Sequence, residues 1–133
     1  MFNELNTAIY NKLSAGTTLT NLLGGTAIYY LQAPNDTALP YVVWSFQGGG
    51  DENQISLRMK NIVMYVRGYA ESHSAAGSIA DAIDDLLHDG SVTAAGWTNF
   101  WATGIQDIGL VENLPGGKQV YSAGGLYRFR FIE

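Results

Sequence analysis

The chain has 133 residues, enough for one domain with a substantial core, and it lacks cysteine, which excludes disulfides and thiolate metal sites. Its net charge of −5 argues against a protein that grips nucleic-acid phosphates. Only 14% of residues are charged while 47% are hydrophobic, whereas typical globular domains carry about 25% charged residues. A lone protomer of this composition would expose apolar surface, and large exposed patches mark partner sites.

Residues 2–14 place Phe2, Leu5, Ile9 and Leu13 on one helical face and predict a first helix. Leu19, Leu22 and Leu23 follow in a short helical turn stopped by Gly24-Gly25. Residues 26–31, rich in β-branched and aromatic side chains, read as a strand, and Pro34-Asn35-Asp36 as a turn. Pro40 can begin but not sit inside the next strand, residues 41–46. Residues 47–54 are polar and glycine-rich, and read as a mobile loop between antiparallel strands. Three consecutive glycines lose much conformational entropy on ordering, so this loop is expected to order only against a partner. It lacks the Gly-Lys-Ser/Thr ending of a phosphate loop and precedes a strand, not a helix.

In residues 62–69 both alternating faces carry large groups, as in a strand covered on both sides. Ser72-His73-Ser74 offers caps for a helix start. Ala76, Ile79, Ala80, Ile83 and Leu87 then form one apolar stripe, widened by Leu86, with Asp81, Asp84, Asp85 and His88 opposite. Gly90 fits the left-handed residue that ends many helices. Residues 91–98 read as a linker around Gly96, and residues 100–112 as a strand interrupted by Gly104 and Gly109. Leu114-Pro115-Gly116-Gly117 reads as a turn into a last strand over 120–132, where Tyr127, Phe129 and Phe131 alternate with Arg128 and Arg130. The glycines within these strands (Gly104, Gly109, Gly124, Gly125) suggest bulges or bends. The expected class is α+β: a mainly antiparallel sheet of about five strands, with an N-terminal helix and one central amphipathic helix packed on it, forming a single domain over residues 1–133.

Catalytic residue types are scarce. Asp84 and His88 lie four apart on one helical face, yet zinc usually needs three or four ligands and no second histidine cluster exists. No Gly-x-Ser-x-Gly elbow occurs, and Ser72 and Ser74 are better explained as helix caps. Trp97 and Trp101 could form a stacking platform, or pack in a core or interface. The expectation is therefore no catalytic, cofactor or metal site, and a protein that is not an enzyme. No apolar run approaches the roughly 20 residues of a membrane helix, and Met1-Phe2-Asn3-Glu4 lacks signal-peptide features.

The charges are segregated. Asp81, Asp84 and Asp85 sit in the second half of a helix, where its dipole disfavours anions. Arg58, Lys60, Arg67, Arg128 and Arg130 lie on predicted strands. This arrangement suggests that the acidic helix face meets the basic strand residues of a neighbouring copy. A head-to-tail contact of that kind generates a ring when the rotation closes.

The run Leu39-Pro40-Tyr41-Val42-Val43-Trp44 precedes a loop and Met64-Tyr65-Val66-Arg67-Gly68-Tyr69-Ala70. An Ala-x-x-Ile-Ala-x-x-Ile-x-x-Leu-Leu helix follows from Ala76 to Leu87, and the chain closes with Tyr127-Arg128-Phe129-Arg130-Phe131. In element order and in these motifs the chain resembles the tail-completion or tail-terminator proteins of long-tailed bacteriophages. The resemblance implies a structural virion protein of the tail or neck, assembled in the host cytoplasm, without cofactor or turnover. It implies a homohexameric ring that caps the tail tube, ends tube polymerisation and presents a surface to the head connector or head-closure protein. It also makes Gly48, Gly49, Gly50, Asp51, Glu52 and Asn53 the candidate segment that docks on tube or connector. The alternatives are a head-closure protein, a tail tube subunit, or a small ligand-binding module using Trp97 and Trp101. Neither nucleic acid as primary ligand nor membrane is expected as a partner.

Overall fold

A computed structural model of the chain describes residues 2–52, 58–113 and 117–133. Three helices, α1 (Phe2–Ser14), α2 (Thr17–Leu23) and α3 (His73–Leu87), accompany six strands. The strands are β1 (Ile28–Tyr30), β2 (Tyr41–Asp51), β3 (Met59–Ala70), β4 (Thr93–Ala94), β5 (Trp97–Asn113) and β6 (Gln119–Ile132). They form one sheet in the order β1-β2-β3-β6-β5-β4. The α+β class stands, but the sheet has six strands instead of five and is mixed, because β1 runs parallel to β2 while every other pair is antiparallel.

Helix α3 forms where its stripe predicts. The Ser72 side chain accepts the Ala75 N–H at 3.2 Å, satisfying one free donor of the first turn. Ala76, Ile79, Ile83 and Leu87 are sealed against the sheet together with Ala82, while Ala80 stays half-buried. The helix ends through Asp89, whose φ of 54° supplies the left-handed turn expected of Gly90. Gly90 is needed for space instead, since a Cβ there would run into the Leu86 carbonyl. Gly24 does adopt the left-handed conformation, with φ 71°, and closes α2.

The core lies between the three helices and one face of the sheet. Phe129, Phe131, Met64 and Val66 are fully buried there with Leu5, Ile9 and Leu13 of α1. Burying each such side chain stabilises by roughly 1.5–3 kcal/mol relative to leaving it exposed. Between β6 and β3 the backbones come close at Gly124, where a Cβ would meet the Val66 carbonyl. Gly109, Gly124 and Gly125 keep regular register instead of bulging, and the irregularities fall at Gln47, Phe100 and Ile105.

Three further expectations are corrected. The expected loop over 47–54 is largely strand: Gly48, Gly49, Gly50 and Asp51 pair with Val63, Ile62, Asn61 and Lys60. The ladder to β3 supplies the ordering that a partner was expected to supply. Asn53 and Gln54 lie outside the described residues, as do residues 114–116 of the expected turn. Residues 91–98 are not a plain linker, because β4 folds back on Trp97 and Thr98 around Gly96. Strand β3 is covered by helices on one face only. Val63, Tyr65 and Arg67 on the other face remain half-exposed, because all three helices pack on the same side.

Candidate interaction surface

The acidic face of α3 divides into two kinds of residue. Asp81 and Asp85 are exposed. Asp84 is half-buried and accepts the Tyr127 hydroxyl at 2.9 Å, tying α3 to β6. Burial, reinforced by that bond, pushes the Tyr127 phenol well above its ordinary range. His88 is likewise engaged: its Nδ1 accepts the Gly104 N–H at 3.0 Å and lies 3.2 Å from the Thr103 hydroxyl. Asp84 and His88 thus serve as acceptors that fasten β6 and β5 to the helix.

The basic residues find carboxylates on other segments of the same protomer. Lys60 lies 3.1 Å and Arg58 3.5 Å from Asp51, Arg130 lies 2.9 Å from Glu52, and Arg67 lies 3.9 Å from Glu112. The Lys60 hydrogen bond holds the Asp51 carboxyl below its ordinary pKa, and bonds from Asn61 and Arg130 do the same for Glu52. Arg128 makes no ion pair among the described residues, and its buried Nε has no acceptor. Register sorts these cations by face. Lys60 sits opposite Phe131 on the helix side, whereas Arg67 and Arg130 sit opposite Gly124 and Asn61 on the side without helices. The protomer therefore does not bring the α3 acids and the strand arginines together.

The face without helices is finished by aromatic rings and arginines. The Arg67 guanidinium lies 4.4 Å from the Tyr65 ring centre and 5.4 Å from that of Tyr69. Tyr69 in turn stacks on Tyr41 at 5.0 Å, and Arg130 covers Phe100 and Trp101 at 5.5 and 5.8 Å. At one end the segment over residues 31–39 borders an open groove of about 620 Å³ that also takes in Tyr69, Glu112 and Lys118. Trp97 packs against the main core near Arg58 instead of joining Trp101 in a platform. Large apolar residues nevertheless reach solvent along β5: Phe100, Trp101, Ile105, Leu110 and Val111 are all at least 40% exposed.

An α+β domain whose helices cover one sheet face, with exposed apolar groups concentrated on one strand, has the form of an assembly subunit. The sequence model of the tail completion protein gp17 family matches residues 7–113. The chain belongs to that family. As a tail completion protein it is a structural virion component. A solved chain from the virion of a native gene transfer agent particle superposes with a TM-score of 0.75, covering 97% of this chain and 95% of that one at 18% identity, which shows a common fold. No curated protein sequence matches the chain.

Within this tail completion protein, the sequence located the exposed acids, the cations and the glycine-rich segment. It missed the exposed run on β5, because Leu110 and Val111 are adjacent and so project to opposite faces. Exposure on both faces at once was the signal, and alternation alone does not carry it.

Proposed function

We propose that this tail completion protein forms a closed ring of six copies that caps the tail tube, ends its polymerisation and joins tail to head. Family membership across residues 7–113 is the observation that carries the reading. The low content of charged residues and the sheet face without helices, buried at one end by Val43, Tyr69 and Val120 and half-exposed at Val63, Tyr65 and Arg67, support it, since both suit a subunit that hides its flanks in an assembly. The end of β2 at Asp51, with Glu52 and Asn53 next in the sequence, is the proposed contact with tube or connector. Asp81 and Asp85 are proposed to meet basic strand residues of the neighbouring copy. Lys60, on the helix side of the sheet, is the best placed of these.

Electron microscopy of the purified protein tests the reading: discrete rings are expected, whereas long tubes would indicate a tube subunit and isolated protomers would refute the ring. Reversing Asp81 and Asp85 to Lys is expected to lower the assembled mass in light scattering. An unchanged mass would remove these two residues from the interface.

A further inference from the structure

The outermost strands β1 and β4 are short, so β2 and β5 beside them are each sealed along one half and, among the described residues, bare along the other. On β5 the first half is occupied. β4 pairs with Trp97 and Thr98, the Asp89 N–H donates to the Ala102 carbonyl at 2.8 Å, and the Gly104 N–H donates to His88. From Gln106 to Asn113 the strand runs in regular register with β6, and among the described residues no backbone pairs with its other side. On β2 the first half is occupied as well: the Val42 N–H donates to Ala27 and the Trp44 carbonyl accepts from Leu31. Beyond Trp44, residues 45–51 have β3 on one side and no strand on the other among the described residues.

We propose that these two bare edges pair with each other between copies, residues 106–113 of one adding antiparallel to residues 45–51 of the next. A free strand edge presents unpaired N–H and C=O groups, which only another strand satisfies in register. Natural edges are commonly blunted with lysine, proline or bulges, yet residues 106–113 contain no lysine or proline and, past Ile105, no bulge. The two segments are nearly equal in length. Their polarity also fits: direction alternates along β2, β3, β6 and β5, so a copy in the same orientation sets its β2 antiparallel to β5.

Charge favours this partner over a second β5. Full-length antiparallel self-pairing of residues 106–113 sets Asp107 directly opposite Glu112 twice, and like charges so placed are destabilising. Pairing with β2 in the register that sets Leu110 opposite Gly48 places Asp107 opposite Asp51 once per join, and there Lys60 and Arg58 offset the acidic charge. Asp107 and Asp81 line one cleft of about 380 Å³ between α3 and β5–β6. Lys60 stands on the same side of its own sheet, so the join brings that lysine to the cleft. The side-chain-free backbone of Gly48, Gly49 and Gly50 lets the incoming strand approach closely.

The proposal rests on the head-to-tail ring reading, and the test separates the two. Because the chain has no cysteine, a variant carrying both Gly48→Cys and Leu110→Cys reports the contact without background. On mild oxidation it is expected to give a ladder of covalent oligomers longer than a dimer. Amide exchange of the unmodified full chain, read above and below its assembly concentration, is expected to slow by at least about tenfold in both segments on assembly. Assembled protein with unchanged exchange at residues 106–113 and no ladder overturns the strand pairing and leaves the ring standing. A ladder that stops at the dimer overturns the head-to-tail pairing in favour of a two-fold contact. A single protomer at every concentration overturns both.

Discussion

The two faces of the sheet use the same strands and are finished in opposite ways. On the helix side, Phe129, Phe131, Met64 and Val66 are sealed beneath α1 and α3, and the polar groups that reach this layer are tied, as Tyr127 is to Asp84. On the other side, Tyr65, Tyr69 and Arg67 cover one another, and the Nε atoms of Arg67, Arg128 and Arg130 are buried without acceptors among the described residues. The first face is complete within one protomer. The second is closed only in part within the protomer and leaves Val63, Tyr65 and Arg67 half-exposed, and the contrast separates what stabilises the domain from what it offers a partner.

Truncating each face gives the largest difference. Phe129→Ala is expected to cost about 3–5 kcal/mol in urea unfolding, because it opens a cavity in a closed layer. Tyr65→Ala on the other face is expected to cost roughly 1 kcal/mol or less, mainly the loss of its contact with Arg67. Equal losses would erase the distinction between the faces.

Gly124→Ala probes the close seam that both faces share, and is expected to destabilise by about 1–3 kcal/mol, since the added methyl meets the backbone of Val66, which no rotamer change can move aside. Ser72→Ala removes a helix cap on the sealed side and is expected to cost about 1 kcal/mol, read as a lowered thermal midpoint.

The smallest expected effect is acid sensitivity at the end of β2. Asp51 and Glu52 titrate below their ordinary values in the folded chain, so their contribution to stability is present above the unfolded pKa, near about pH 4, and is lost as pH falls through the depressed folded values. Carboxyl chemical shifts should show both midpoints depressed, and Lys60→Met should return that of Asp51 toward normal. Midpoints at ordinary values would show that these ion pairs do not persist in solution.

Much of the covered face was legible in the residues themselves. The i, i+3, i+7 spacing of Ala76, Ile79 and Ile83 and the Ser72 cap determined α3, and the alternation of Tyr127, Phe129 and Phe131 determined which side of β6 is buried, because these periods follow from backbone geometry alone. The family likeness was legible in the same motifs. What the residues could not disclose were long-range choices. Gly48, Gly49 and Gly50 have low strand propensity, and only their ladder to Val63, Ile62 and Asn61 makes them strand. Whether the second face of β3 is covered depended on where the helices pack, and they all chose one side. Which half of β5 stays bare was decided by Asp89 and His88 closing over Ala102 and Gly104 at the end of α3. Local periodicity settles which side of an element is apolar. What lies against that side, or beside a strand's edge, is set by contacts between residues far apart in the chain, and those exist only once the chain has folded.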